Sequence, residues 1–184
     1  MRQGRDGKAI DFLLRAKDAP RAAELMTKLG QGEEAARVLA EHHRDLGDDE
    51  EAARCFEKSG ELLTAGDIYR MLEQYEKAGE CYERFGDSAQ AAEMFSLAGD
   101  RVRASASYEQ AGLYTEAADC ASETGDENKQ AELLAQAGNH LKAGAIHLKA
   151  RRIDEAIEVL QQIQSDHADF AAASAKLGEI FLKR

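Results

Sequence analysis

The histidines are the first side chains to consider for acid–base or metal chemistry, and their positions favour packing roles. His42 and His43 are adjacent, so an exposed turn or a lengthened helix explains both. His140 and His147 are seven residues apart, and His147 falls in a column of core positions described below. The sequence has no zinc-protease, nucleophile-elbow or phosphate-loop motif. We therefore predict that the chain is not an enzyme and that it holds no metal or cofactor.

The cysteines offer a second kind of reactive group, but their spacing follows a repeat. Cys55, Cys81 and Cys120 each occupy the eighth position of a 13-residue unit, where other units carry residues such as Ile68 and Met94. A cysteine in such a column behaves as a small core residue. Paired ligand spacing, which a structural zinc site requires, is missing. We expect three buried, reduced thiols and no disulfide.

The repeat itself is marked by glycine. Glycines that are separated by multiples of 13 residues occur at Gly47, Gly60, Gly86, Gly99, Gly112, Gly125 and Gly138. The missing member of this series is Glu73. The register extends forward to Arg151 and, after an insertion of four extra residues before Gly47, back through Gly30, Lys17 and Gly4. If this turn residue is counted as zero, position 5 is alanine in eleven of twelve units, from Ala9 to Ala156, with Gln130 as the exception. The chain is therefore a series of copies of one short unit.

Each unit has the pattern of a short amphipathic helix. Position 6 is usually small, as at Gly66, and position 9 is usually large, as at Tyr69 and Phe95. Positions 5, 9 and 12 are separated by four and three residues, so they share one helix face. Helices of about ten residues are marginal alone and must pack against their neighbours. We predict an all-α fold: an α-solenoid of stacked short antiparallel helical hairpins, with about 12–13 helices.

The residues around each turn support these boundaries. Glycine tolerates the left-handed conformation that commonly ends a helix. The residue that follows is often Asp or Asn, which suits the N-cap of the next helix. The predicted caps are Asp48, Asp87, Asp100, Asp126 and Asn139.

Composition limits the domain organisation and the partner. The chain has a net charge of −11, and residues 47–137 alone carry −13. Nucleic-acid binding requires clustered basic residues, so nucleic acid is not the expected partner. No apolar run is long enough to span a membrane, and the N-terminus does not resemble a secretory signal. We expect a cytoplasmic protein. The unbroken repeat predicts a single solenoid over residues 1–184, as a fragment or domain of a longer repeat protein.

The units resemble the tetratricopeptide repeat family. Residues 65–69 and 143–147 are similar to its first helix, and Ala91, Phe95 and Ala98 are similar to its second. The C-terminal segment, 151–163 followed by residues 169–181, is the closest match. Two units here span 26 residues, against about 34 in the family. The resemblance implies a solenoid that binds proteins without catalysis.

Under this resemblance, the units that begin at residues 60, 86, 112 and 138 provide the first helix of each hairpin and line the groove. Position 7 of three of these units is acidic, at Asp67, Glu93 and Asp119. We predict that these carboxylates form an acidic ladder that binds a basic peptide or helix. Neighbouring residues predicted to line the groove are Leu63, Arg70, Met71, Leu97, Glu123 and Lys149.

Alternatives remain open at the level of function. Position 7 is also charged on the intervening helices, at Glu80, Glu132 and Glu158, so the column could simply face solvent. A protein-binding scaffold is the main hypothesis, and a co-chaperone-like module that recognises one short peptide is a variant of it. The alternative is a self-assembling, coat-like or transport-complex subunit. It would associate through the apolar C-terminal residues Ile180, Phe181 and Leu182.

Overall fold

The fold consists of short α-helices throughout the part of the chain that the structure, a computed structural model, describes. This part is residues 3–183, and it contains no β-strand. The thirteen helices are α1 (Gln3–Arg15), α2 (Ala19–Lys28), α3 (Gly32–Leu46), α4 (Asp49–Ser59), α5 (Leu62–Met71), α6 (Tyr75–Phe85), α7 (Ser88–Leu97), α8 (Arg101–Gln110), α9 (Tyr114–Thr124), α10 (Glu127–Gln136), α11 (His140–Lys149), α12 (Ile153–Leu160) and α13 (Phe170–Lys183). The prediction of an all-α solenoid of helical repeats is confirmed.

The helices fall into two compact units. Unit 1 spans residues 1–98 and contains α1 to α7, while unit 2 spans residues 99–184 and contains α8 to α13. Within each unit every helix packs against the helices before and after it in sequence. Such nearest-neighbour packing characterises repeat proteins. The single array over 1–184 stays a prediction.

The repeated small and large positions form the cores of both units. The position-5 alanines from Ala22 to Ala156 are buried, whereas Ala9 is exposed and Gln130 is partly exposed. Large side chains at position 9 fill the space between helices, and Tyr69, Tyr82 and Phe95 are almost completely inaccessible. Small residues at positions 5 and 6 thus allow close helix approach while position 9 supplies the buried apolar area.

The turn residues adopt the left-handed conformation that the glycine series predicts. The eight glycines from Gly30 to Gly138 in this register have φ between 74° and 95°. Lys17, Glu73 and Arg151, which replace glycine in the same register, have φ of 57°, 57° and 60°. The backbone therefore repeats the same turn even where the glycine is absent.

All five predicted cap residues occupy the N-cap of the next helix, and three of them also make a side-chain cap hydrogen bond. The side chains of Asp87, Asp100 and Asp126 accept hydrogen bonds from backbone N–H groups three residues later, at 3.0–3.1 Å. Asp48 and Asn139 occupy the N-cap as predicted, but their side chains make no cap hydrogen bond. Asp48 instead directs its carboxylate toward Nδ1 of His43, at 3.4 Å.

The cap at Asp87 gives a prediction on stability. Asp87→Ala is expected to lower the free energy of unfolding by about 1 kcal/mol at pH 7, because the first turn of α7 loses its acceptor. Asp87→Asn retains an acceptor and is the control. Hydrogen bonds from Gln90 lower the pKa of Asp87, so its stabilisation is present above the unfolded pKa and is lost as pH falls through the folded pKa. Urea denaturation at pH 7 and at roughly pH 2.5 should therefore show a smaller difference at the lower pH. An equal difference at both would contradict this.

The four extra residues before Gly47 lengthen a helix. Helix α3 has 15 residues, against 10 or 11 in α4 to α11, and His42 and His43 lie in its last two turns. Of the two explanations for this histidine pair, the structure supports the longer helix.

Candidate functional site

Equivalent stripes of α5 and α7 in unit 1 are apolar and acidic, and with Arg70 they include the residues of this unit that were predicted for the groove. Positions 3, 7 and 11 follow each other at intervals of four residues, so they form one stripe along a helix. On α5 and α7 this stripe consists of Leu63, Asp67 and Met71, and of Ala89, Glu93 and Leu97. Met71 is 77% exposed and Leu97 is 60% exposed. We define the α5–α7 surface as Leu63, Asp67, Arg70, Met71, Glu93 and Leu97.

The corresponding stripe on α4 and α6 has a different character. Its six members are all charged: Glu50, Arg54, Lys58, Glu76, Glu80 and Arg84. Ion pairs connect the two helices, since Lys77 Nζ lies 3.6 Å from Glu50 and Arg84 pairs with Glu57. Glu50, Arg54 and Arg84 of this stripe are therefore paired within the chain. Exposed apolar side chains occur instead on the stripe of α5 and α7.

Asp67 has a partner inside the fold. Its Oδ1 accepts a hydrogen bond from the hydroxyl of buried Tyr82 at 2.7 Å, and Arg70 Nη2 lies 3.2 Å from the same atom. Burial and this carboxylate both raise the pKa of Tyr82. Because an unmatched buried hydroxyl is costly, Asp67 stabilises the α5–α6 hairpin. This contact was not predicted from the sequence. The only sequence feature that could have indicated it is the 15-residue separation of Asp67 and Tyr82.

Glu93 is the more accessible of the two carboxylates on the α5–α7 surface. It lies exposed in the middle of α7, four residues before Leu97. Besides this carboxylate, the α5–α7 surface exposes three apolar side chains, those of Leu63 (38%), Met71 and Leu97.

The remaining predicted groove residues belong to unit 2. Asp119 is exposed on α9. Glu123 pairs with Arg101 of α8 at 2.7 Å, and Lys149 pairs with Glu127 of α10 at 2.7 Å. The latter contact lowers the pKa of Glu127 and raises that of Lys149. Both side chains thus interact with adjacent helices of their own unit, and their role in a groove stays a prediction.

The apolar C-terminal residues are only partly available to a partner. Ile180 is buried in a cluster with Leu160, Ile163 and Ala173, so its assignment to a self-association surface is wrong. Because the residue belongs to the core of unit 2, it already has apolar neighbours. Phe181 and Leu182 are exposed, at 55% and 89%.

The reactive side chains have the environments of packing residues. The three cysteines are buried and unpaired, and burial raises their pKa values, to about 11 for Cys81. A thiol with a raised pKa is a poor nucleophile at neutral pH. Burial also lowers the pKa of His147, and the positive charge of Arg152 lowers it further. Among the described residues, histidine, cysteine and carboxylates do not form a metal-binding group.

Comparison with known proteins identifies one repeat. A tetratricopeptide repeat family model matches residues 62–85, which comprise the α5–α6 hairpin. No curated protein matches the chain. Within the described residues, no helix is long and apolar enough to cross a membrane. Tetratricopeptide repeats are typically non-catalytic and suggest a protein–protein interaction scaffold. The described part of the chain thus consists of thirteen short helices that pack in sequence order within each unit, and its α5–α6 hairpin is similar to a tetratricopeptide repeat.

Proposed function

We propose that this protein is a non-enzymatic interaction scaffold that binds an amphipathic peptide or helix of a partner protein on the α5–α7 surface. The observation that supports this most directly is the repetition of an exposed apolar residue at position 11, Met71 on α5 and Leu97 on α7. Exposed apolar side chains that are grouped and bordered by charge commonly mark protein-binding sites. The charged stripe of α4 and α6 does not offer such contacts.

The chemistry of the surface defines the partner. Two apolar side chains of the partner would cover Met71 and Leu97, and a Lys or Arg of the partner would pair with Glu93. Asp67 contributes less, because it already accepts from Tyr82 and Arg70. The proposed ligand is therefore a segment with two apolar anchors and at least one basic residue, and a cationic residue also fits the negative charge of residues 47–137. A cytoplasmic location is part of the proposal, and the three unpaired thiols fit it.

We favour this function over a self-assembling or coat-like subunit. The alternative depended on Ile180, Phe181 and Leu182, and Ile180 lies in the core of unit 2. The α5–α7 surface, by contrast, keeps both its apolar anchors exposed. It also lies on or directly beside the hairpin that matches the family.

The test is affinity capture from cell lysate, followed by titration of the captured protein with purified variants. Met71→Asp combined with Leu97→Asp is expected to weaken binding by about tenfold or more, since apolar anchors in an interface dominate its affinity. Glu93→Lys should also weaken binding, and the loss of affinity should be larger at low salt than at high salt. Asp67→Lys is unsuitable, because it would also remove the bond to Tyr82.

Two controls make the result specific. Val102→Asp on α8 places the same charge on an apolar side chain that is 69% exposed and lies outside the α5–α7 surface. The affinity of Asp119→Lys for the captured protein tests whether the acidic ladder extends to unit 2. Loss of binding in the double variant with retention in Val102→Asp supports the proposed site. Equal binding by the double variant and wild type would contradict it.

A further inference from the structure

The side chain of Met71 differs from the other sulfur-containing side chains of the described residues, because it is open to solvent. Met71 is 77% exposed at the end of α5, whereas Met26 and Met94 are only 8% and 4% exposed. The cysteines are buried as well, at Cys55, Cys81 and Cys120. A dissolved oxidant therefore reaches the sulfur of Met71 more readily than the other five.

The chemistry of the sulfur groups favours Met71 in the same way. The thioether of methionine reacts with a peroxide to give the sulfoxide, and it carries no proton that must leave first. A thiol, by contrast, reacts as its thiolate. Burial raises the pKa of all three cysteines, so little thiolate forms at neutral pH. Exposure and ionisation therefore both direct a peroxide to Met71.

Oxidation at this position would change the α5–α7 surface and leave the core intact. Methionine sulfoxide is polar, and its formation disrupts apolar interfaces that contain methionine. Met71 lies four residues after Asp67 on the stripe of α5, and its side chain is outside the buried core. Met94, in contrast, is part of the core of α7, where a polar sulfoxide would be costly. An added oxygen at Met71 should therefore affect binding rather than folding.

We propose that Met71 is a site of reversible oxidation that lowers the affinity of the α5–α7 surface for its partner. This inference rests on the proposed function, in which Met71 is one of two apolar anchors. The sulfur lone pair attacks one oxygen of hydrogen peroxide, so that an S–O bond forms, the O–O bond breaks and the second oxygen leaves as water. The sulfur loses two electrons, which the peroxide gains. A thiol-dependent methionine sulfoxide reductase reverses the change, since it oxidises two thiols to a disulfide and releases the oxygen as water.

The first part of the test measures selectivity and needs no partner. The full chain is treated with hydrogen peroxide at neutral pH, and mass spectrometry of its peptides follows the oxidised fraction of each sulfur group with time. Met71 should oxidise about tenfold faster than Met26 and Met94, because oxidation follows exposure. The three rates should converge in urea, which exposes all of them. Equal rates in the folded protein, or faster oxidation of the cysteines, would overturn the proposal.

The second part measures the affinity for the captured protein. Oxidised wild type should bind about fivefold more weakly, with an unchanged circular dichroism spectrum, because one apolar anchor has become polar. Treatment with methionine sulfoxide reductases should restore the affinity. Met71→Gln places a polar side chain of similar length at this position and should bind as the oxidised protein does without any peroxide. Met71→Leu is the matched control, since it keeps the apolar anchor but has no sulfur, and it should bind like wild type before and after peroxide.

The variants separate a failure of this inference from a failure of the proposed function. If the double variant Met71→Asp/Leu97→Asp loses affinity but oxidised wild type does not, the oxidation proposal is wrong and the binding site stands. If the double variant binds like wild type, the proposed function is wrong and the effect of oxidation on binding is overturned with it. Met71→Leu retains Met1, which lies outside the described residues. An equal loss of affinity after peroxide in wild type and in Met71→Leu would assign the effect to another residue and overturn the proposal.

Discussion

Gly79→Ala is expected to destabilise the protein by about 1–3 kcal/mol, although alanine is the better helix former. A Cβ at Gly79 on α6 would lie 2.7 Å from Cε1 and 2.8 Å from Cδ1 of Phe95 on α7. The Phe95 ring is completely buried, so it cannot move into solvent. The methyl group must therefore force the two helices apart or push the ring out of its preferred rotamer. Urea denaturation that is monitored by circular dichroism measures the change.

Gly178→Ala is the matched control for this substitution. Gly178 is also inside a helix, but a Cβ there would meet nothing within 4 Å. Alanine should therefore stabilise α13 by about 0.5–1 kcal/mol, which is the ordinary helix preference over glycine. Opposite signs at the two glycines would separate the steric effect from intrinsic propensity.

A double-mutant cycle identifies the atoms that clash. Phe95→Leu removes the ring atoms that approach Gly79, so Gly79→Ala should cost less in the Phe95→Leu background than in wild type. Contacting residues are expected to show coupling of about 0.5–3 kcal/mol. Additive effects, or a Gly79→Ala protein as stable as wild type, would contradict the close approach. The same geometry recurs between Gly144 and Leu160 in unit 2, where the nearest distance is 2.7 Å.

The helical repeat could be predicted from sequence because each feature depends on local spacing. A left-handed turn every 13 residues fixes the helix ends, and the positions at offsets 5 and 9 fix the buried face. The structure follows this even at Glu73, where the register rather than the residue type indicates the turn. The same register identified Cys55, Cys81 and Cys120 as core residues.

The site was less predictable, because it depends on contacts between helices. Register indicates which face a side chain is on, but it does not give its distance from side chains on other helices. Asp67 and Glu93 occupy equivalent positions, yet Asp67 is partly buried and accepts a hydrogen bond from Tyr82, whereas Glu93 is exposed. The ion pairs of Glu123 and Lys149 and the burial of Ile180 likewise arise from packing between helices.

Lys17→Gly and Glu73→Gly are expected to stabilise unit 1 by about 1 kcal/mol each, because a side chain in the left-handed conformation is strained. The backbone at Glu73 shares two turn hydrogen bonds with that at Gly86, where Gly86 N also donates to Tyr82 O at 3.0 Å. Glu73 N donates to Arg70 O at 3.0 Å and Gln74 N donates to Tyr69 O at 2.9 Å. At the glycine turn, Gly86 N donates to Glu83 O at 3.0 Å and Asp87 N donates to Tyr82 O at 2.9 Å. Glycine should therefore relieve strain without a change in these contacts.

The two substitutions lie at separate turns, so their effects should add to about 2 kcal/mol in the double variant. Gly86→Ala is the reverse experiment. A Cβ at Gly86 would meet nothing within 4 Å, so any loss of stability there comes from the backbone conformation, at φ of 95°, rather than from a clash. We expect Gly86→Ala to cost about 1 kcal/mol in the same denaturation measurement. Glycine loses more conformational entropy on folding than other residues do. If the turn were not left-handed, glycine at positions 17 and 73 would therefore destabilise the protein. The sign of the change at Glu73 thus reports directly on whether the 13-residue turn persists where its glycine is missing.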